Sequence, residues 1–99
     1  MARPMLAMEL IPMIREMLAE LEGERSPIVS GRRAALWRAQ QHAAALNHTM
    51  EDLRGYCLES LAPRRFVDES DYLRGYREGF QAVLREVRRI ETRGRTRPI

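Results

Sequence analysis

The sequence predicts an all-α fold, a small bundle of three or four antiparallel helices, and two long apolar seams are the observations behind this class. The apolar residues of each seam recur at alternating steps of three and four, as on the buried face of a helix. The seam nearer the C-terminus contains Leu73, Tyr76, Phe80, Val83, Val87 and Ile90. The earlier seam contains Leu36, Ala39, Ala43, Leu46, Met50, Leu53 and Cys57. No stretch of the sequence shows the period-two alternation that is typical of strands.

The composition of the 99 residues fits a single globular domain. The apolar share is 44% and the charged share is 31%, both close to the averages for soluble proteins. We expect one helical domain over residues 1–92, in which residues 1–9 form a flexible arm, followed by an arginine-rich tail over residues 93–99. Because a chain this short builds a modest core, oligomerisation is one way to complete the bundle.

The positive charge is carried entirely by arginine and is unevenly distributed. The chain has 17 basic residues, all of them arginines, and a net charge of +3. Residues 25–48 contain four arginines and no acid, and residues 84–99 contain six arginines against two glutamates, so each region carries +4. The planar guanidinium group suits carboxylates, phosphates and aromatic faces. These two regions are therefore candidates for contact with anions.

Three features of the sequence favour a cytoplasmic protein. The single cysteine, Cys57, excludes an internal disulfide and fits a reducing compartment. No apolar run approaches the roughly 20 residues that a membrane-spanning helix needs. Acidic residues from Glu9 onward interrupt what would be the apolar core of a secretory signal. We expect a bacterial protein, or one from a bacterial virus or mobile element.

The first half of the chain predicts one short and one long helical segment. Pro12 suits a first helical turn, and the first helix is expected to end near Glu22, with Gly23 as the stop. A loop then leads to Ser30, a good N-cap, and the earlier seam predicts helix over residues 31–61.

Two interpretations remain open for the long helical segment. Asn47 favours the left-handed conformation that ends helices, and Thr49 with Asp52 resembles a capping box, so a break is expected there. The seam, however, keeps its phase from Leu46 to Met50, which favours one continuous helix. An unbroken helix would be about 46 Å long, more than a small domain can cover alone.

The last helix is expected to follow a short connector. Pro63 ends the preceding helix, and Phe66 and Val67 are expected to be buried in the connector. Asp68 is the predicted N-cap and Gly94 the predicted end of this helix.

Two glycines inside the last helix predict a close helix crossing. Gly75 and Gly79 stand four residues apart beside the seam. Each costs about 1 kcal/mol relative to alanine within a helix, and close approach of another backbone would offset that cost.

The candidate residues for a protein interface are apolar or small. Trp37 lies off the seam, and it either packs against the first helix or anchors an interface. Methionines are concentrated near the N-terminus, where they either fill the core or contact a partner. The interface candidates are Met5, Met8, Trp37, Gly75 and Gly79.

The candidate residues for contact with nucleic acid or another anion are arginines of the two basic regions. They are Arg32, Arg33, Arg38, Arg85, Arg88, Arg89, Arg93, Arg95 and Arg97. The alternative is a solvated face, because glutamates interleave with the arginines of the last helix. The expected pairs at helical spacing are Glu78 with Arg74, Glu86 with Arg89, and Glu91 with Arg88. A helix-turn-helix around Asn47 is disfavoured because Glu51 and Asp52 would face the phosphates.

The sequence contains no catalytic motif: it lacks a glycine-rich phosphate loop, a GxSxG elbow and an HExxH pair. His42 and His48 would point about 120° apart on a continuous helix, so they could not share a metal ion. Cys57 is expected to be an inert buried thiol. We expect no enzymatic activity, no cofactor, no metal and no small-molecule substrate.

The favoured hypothesis is a non-enzymatic interaction protein that self-associates or docks onto a larger protein assembly. The second hypothesis is a nucleic-acid-binding accessory protein that uses the arginine-rich helix face and tail.

Overall fold

The computed structural model describes residues 5–45, 47–62 and 70–95, and these residues form an all-α fold, as predicted. A single 3₁₀ turn, Ala7–Leu10, precedes the first of four α-helices. The helices are α1 (Ile11–Glu20), α2 (Pro27–Ala44), α3 (Met50–Leu61) and α4 (Asp71–Arg95). Within the described residues, none of the helices has both the length and the apolar character needed to cross a membrane.

The longest packing contact in the fold joins α2 and α4, which run in the same sense. Ile28 near the start of α2 meets Gly75, and Arg32, one turn further along α2, pairs with Glu78, one turn further along α4. The residue numbers of the contacting pairs therefore increase in the same direction along both helices, which makes α2 and α4 parallel.

The third helix runs in the opposite sense to α4. Arg54 in the first half of α3 pairs with Glu91 near the end of α4. Ser60, near the end of α3, lines the same pocket as Tyr72 at the start of α4. α3 is thus antiparallel to α4 and to α2, whereas α2 and α4 are parallel, which departs from the antiparallel arrangement expected for all neighbours. The predicted small all-α bundle is confirmed.

Both apolar seams lie in the core. Phe80, Val83 and Val87 are fully buried on α4, with Leu73 and Ile90 half-buried at its two ends. The earlier seam is buried at every described position; these are Leu36, Ala39, Ala43, Met50, Leu53 and Cys57. Leu46 lies outside the described residues.

The second helix begins earlier than the sequence predicted. Its N-cap is Ser26, whose Oγ accepts a hydrogen bond from the amide of Val29 at 3.3 Å, and Pro27 occupies the first helical position. The predicted N-cap at Ser30 is therefore wrong. Both serines suit a cap, but proline at the first position pre-sets the helical φ and needs no hydrogen-bond partner for its nitrogen. The turn after α1 agrees with prediction, since Gly23 adopts a φ of +87°.

The long helical segment is broken, which settles the two open interpretations. Asn47 has a φ of +67°, in the left-handed region. Thr49 then caps α3: its Oγ1 accepts from the amide of Asp52 at 3.1 Å, and the Asp52 carboxylate accepts from the amide of Thr49 at 2.8 Å. This reciprocal pair satisfies two amides at the start of α3, so the local signals outweigh the continuous phase of the seam.

The segment before the 3₁₀ turn pairs with this break. The amide of Ala7 donates to the carbonyl of His48 at 2.8 Å, and the amide of Met50 donates to the carbonyl of Met5 at 2.7 Å. Together they make an isolated antiparallel bridge between Leu6 and Thr49. The backbone of residues 5–7 is therefore hydrogen-bonded to the α2–α3 connector.

The contact between α2 and α4 brings backbone against backbone. A Cβ atom added to Gly75 would overlap the carbonyl of Ile28, and one added to Gly31 would overlap the carbonyl of Tyr72. A Cβ on Gly79 would lie 2.7 Å from the Cβ of Ala35. The close crossing expected at Gly75 and Gly79 is present, and Gly31 contributes to it from the other helix.

The segments that flank α4 lie largely outside the described residues. Phe66, Val67 and the predicted cap Asp68 lie outside the described residues. Within them, Ser70 Oγ accepts from the amide of Leu73 at 3.2 Å at the start of α4. The helix extends to Arg95, one residue past its expected end at Gly94.

Candidate functional site

Three large apolar side chains are exposed in the segment that pairs with the α2–α3 connector. Met5, Leu6 and Met8, here called the methionine segment, are each more than a third exposed, while Ala7 between them is buried. The Leu6 amide also donates to the Glu9 carboxylate at 3.1 Å. The backbone is thus fixed at several points while three apolar side chains face outward.

The single tryptophan also faces outward. Trp37 on α2 is 51% exposed, although its neighbour Leu36 is buried. Gln41 and Ala44, one and two turns further along the same side of α2, are exposed as well. Half of the indole surface is therefore open to a partner.

The two glycine candidates for a partner interface have a different position. Gly75 and Gly79 are buried against α2 of the same chain. Their backbone is already covered, so the structure does not bring them together with Met5, Met8 and Trp37 on a surface.

Two of the arginine candidates on α2 make contacts that hold the fold together. Arg32 pairs with Glu78 on α4, through Nε at 2.8 Å and through a second nitrogen at 2.5 Å. Arg33 donates to the carbonyls of Leu21 and Glu24 at 2.9 and 3.0 Å, where α1 ends. Arg33 therefore joins α2 to the turn that follows α1, and it has a structural role.

The glutamates of α4 pair mainly with arginines of other helices. Glu78 pairs with Arg32, and Glu91 accepts both of its hydrogen bonds from Arg54 of α3, at 2.7 and 2.8 Å. The predicted pairs of these two glutamates within α4 are therefore wrong, because arginines of the neighbouring helices pair with both carboxylates instead. The predicted pair of Glu86 with Arg89 is present at 3.5 Å.

These pairings leave part of the arginine face of α4 uncompensated. Arg85 and Arg88 are exposed, and no carboxylate in the described part of the chain forms an ion pair with either. Arg93 is exposed near the end of α4. The side chain of Arg95 and the whole of Arg97 lie outside the described residues.

The two histidines are in contact because the helix is broken between them. Their ring centroids lie 4.2 Å apart, and Nδ1 of His48 donates to the carbonyl of His42 at 2.7 Å. The sequence-based expectation that they point apart assumed a continuous helix, and the connector overturns it. No group of three or more potential ligands that could hold a metal occurs among the described residues.

Burial lowers the pKa of His42, and the adjacent His48 lowers it further. The His42 ring also stacks on Tyr56 at 4.3 Å with an interplanar angle of 11°. The hydrogen bonds from Thr49 lower the pKa of Asp52, the backbone amide having the larger effect.

We predict that the protein loses stability as the pH falls from 7.5 to 5. The unfolded chain protonates His42 near pH 6.5, whereas the folded chain does so only at lower pH. The unfolded state thus binds more protons than the folded state in this range. The free energy of unfolding therefore decreases as the pH is lowered. The His42→Phe variant keeps a planar ring on Tyr56 but cannot titrate, so urea denaturation at several pH values should show a weaker slope. An unchanged slope in this variant would assign the effect to another group.

Cys57 is fully buried, and desolvation raises the pKa of its thiol to about 12. A thiol with so high a pKa supplies almost no thiolate at neutral pH, which agrees with the expected inert role.

A row of six rings crosses the bundle and was not foreseen from the sequence. It consists of His48, His42, Tyr56, Phe80, Tyr76 and Tyr72, with successive centroids between 4.2 and 6.3 Å apart. At its outer end the Arg38 guanidinium lies 5.8 Å from the centroid of the Tyr76 ring. Tyr72 and Tyr76 are four residues apart on one helix, a signal visible in the sequence, but the approach of Arg38 depends on tertiary packing.

A pocket of about 300 Å³ opens at this outer end of the row. The described residues that line it are Arg38, Ser60, Ala62, Tyr72, Leu73, Tyr76 and Arg77. Among the candidate residues whose side chains are described, only Arg38 belongs to this pocket.

Comparison of the chain with protein families, curated proteins and solved structures gives no match.

Proposed function

We propose that this protein is a non-enzymatic interaction protein that associates with a second copy of itself, or with a larger protein assembly, through the methionine segment and Trp37. The observation that carries the proposal is the exposure of Met5, Leu6 and Met8 on a backbone held by hydrogen bonds. Binding through a fixed segment loses less conformational entropy than binding through a free arm. We further infer a cytoplasmic location in a bacterium or a bacterial virus, from the cysteine content.

The residue types on these surfaces suit protein contacts. Methionine is flexible and polarizable, and it is common on binding surfaces that adapt to their partners. Tryptophan is enriched among the residues that contribute most to binding energy. Scattered single apolar residues need no explanation, whereas a group of neighbouring exposed ones is a candidate interaction site.

Light scattering after size exclusion, from micromolar to near-millimolar concentration, tests the self-association. We expect the apparent mass to rise with concentration for the natural chain. The triple variant Met5→Ser, Leu6→Ser, Met8→Ser should weaken association by at least about tenfold, since each large apolar side chain contributes about 1 kcal/mol or more when buried.

The matched control is Leu58→Ser, because Leu58 is 48% exposed on α3, outside the methionine segment. This variant should associate like the natural chain. A monomer at every concentration would remove self-association, and equal behaviour of the triple variant and the control would remove the methionine segment as the interface.

A second candidate function is nucleic-acid binding through Arg85 and Arg88. The observation that favours it is that Glu78 and Glu91 form ion pairs with arginines of other helices. The positive charge of Arg85 and Arg88 on the exposed face of α4 is therefore not neutralised by these two glutamates. Contacts of this kind bind phosphates without sequence preference and weaken as salt rises.

Fluorescence anisotropy with labelled duplex and single-stranded DNA across a salt series tests this second function. The double variant Arg85→Gln, Arg88→Gln should reduce the slope of log affinity against log salt by about two, one for each lost phosphate contact. The control Arg15→Gln, Arg25→Gln changes the net charge equally at exposed positions outside α4. No binding at low salt, or equal loss in both double variants, would contradict a specific role for this face.

A further inference from the structure

The pocket at the outer end of the ring row has the size of a small ligand. It lies where the middle of α2, the end of α3 and the first turns of α4 meet. Its volume of about 300 Å³ is at the lower limit of ligand-binding pockets in proteins. A ligand of this pocket would therefore be about as large as one nucleotide, and not an extended cofactor.

The charge of the pocket favours an anion. Arg38 and Arg77 line it, and because Arg77 already interacts with another group of the protein, Arg38 is the guanidinium that remains for a ligand. Arg38 is exposed, and no carboxylate in the described ranges forms an ion pair with it. Its cation–π contact with Tyr76 positions the guanidinium while its N–H groups can still donate to an anion. Arginine binds phosphate with short, charge-assisted hydrogen bonds.

The rings of the pocket favour a planar group beside the anion. Tyr76 is fixed, because its ring packs edge-on against the buried Phe80 at 5.0 Å. Tyr72 stacks beside Tyr76 at 6.3 Å with an interplanar angle of 24°, and it is 42% exposed. Tyr72 therefore has ring surface that is open to solvent and supported from behind. Exposed aromatic rings next to arginines are the common means of binding nucleobases without sequence preference.

We propose that this pocket binds a nucleotide, with its phosphate on Arg38 and its base against Tyr72. The nucleotide is either a free mononucleotide or one residue of a single-stranded nucleic acid, since both present the same base and phosphate. The site does not involve Arg85 or Arg88, so it does not rest on the nucleic-acid face of α4.

Binding of adenosine monophosphate to the full chain, measured by isothermal titration calorimetry at low salt, tests the pocket. We expect saturable binding with one site per chain. Arg38→Gln and Tyr72→Leu should each weaken it by about tenfold, as expected for a charged phosphate contact or one stacked base. Tyr72→Phe keeps the ring and should bind within about threefold of the natural chain. The control Arg15→Gln removes an exposed arginine of α1 and should bind like the natural chain.

Two further measurements complete the test: the first identifies the source of the ligand, and the second separates the pocket from the arginine face of α4. A labelled single-stranded oligonucleotide should bind if the nucleotide comes from a nucleic acid, and adenosine monophosphate should then displace it. Adenosine monophosphate binding that persists in the Arg85→Gln, Arg88→Gln variant supports the pocket even where that variant has lost duplex binding.

Four results would overturn the proposal. They are the absence of saturable binding by adenosine monophosphate, binding unchanged in Arg38→Gln and Tyr72→Leu, equal binding of inorganic phosphate, and tighter binding of phosphotyrosine. Equal binding of phosphate would reduce the pocket to an anion site without a role for the rings. Tighter binding of phosphotyrosine would assign it to a phosphorylated peptide.

Discussion

The Gly75→Ala variant should lose about 3 kcal/mol of its free energy of unfolding, or more. The added Cβ would overlap the carbonyl of Ile28, and a backbone carbonyl cannot rotate away as a side chain can. Forcing extra atoms into a packed contact costs about 1–3 kcal/mol and occasionally more. The upper end applies here because α2 and α4 share the longest packing contact in the fold, so separating them disturbs packing along both helices. Alanine gains about 1 kcal/mol over glycine in a helix, which offsets only part of this loss.

The matched control for this variant is Gly55→Ala. Gly55 lies inside α3, and a Cβ added there would have no atom within 4 Å. This substitution should stabilise the protein by about 0.5–1 kcal/mol, the intrinsic preference of a helix for alanine. Urea denaturation followed by far-ultraviolet circular dichroism measures both. A Gly75→Ala variant that gains stability like Gly55→Ala would mean that α2 and α4 do not approach as closely as described.

The second large effect is expected for Phe80→Ala, which should lose about 3–5 kcal/mol. The Phe80 side chain is fully buried, and its ring contacts Tyr56 and Tyr76 edge-on at 5.8 and 5.0 Å. Removing it leaves a cavity under both tyrosines. For a domain of this size, such a loss lowers the melting temperature by at least about 12 °C. Thermal denaturation followed by circular dichroism measures it.

Two further variants separate the causes of this effect. Phe80→Leu keeps most of the apolar volume but loses both ring contacts, each of which contributes about 0.5–1.5 kcal/mol beyond burial. It should therefore fall between Phe80→Ala and the natural chain. Leu58→Ala, at an exposed position of α3, should change stability by no more than about 0.5 kcal/mol. A small effect of Phe80→Ala would show that the core collapses around the lost ring.

The core was predictable because helical periodicity is a property of the local sequence. The steps that place Phe80, Val83 and Val87 on one face need no knowledge of the rest of the chain. The start of α2 was less predictable, since Ser26 and Ser30 offer similar caps and only Pro27 distinguishes them. Asn47 and the capping box of Thr49 with Asp52 indicated a break, whereas the continuous spacing of the apolar residues predicted one unbroken helix.

The candidate sites were less predictable because they depend on contacts between helices. The spacing within α4 suggested partners for Glu78 and Glu91, yet their actual partners lie on α2 and α3. The same holds for the contact between His42 and His48, which exists only because the chain reverses between them. Exposure of the methionine segment also follows from its pairing with a distant connector, which no local pattern indicates.

The direct backbone contact of α2 with α4 has a consequence for motion in the native state. Two helices whose main chains touch cannot slide or tilt independently, whereas helices joined only through side chains can shift by small rotamer changes. We therefore expect α2 and α4 to behave as one rigid unit. Their central amides should be the last to exchange with deuterium, and α1 should open first.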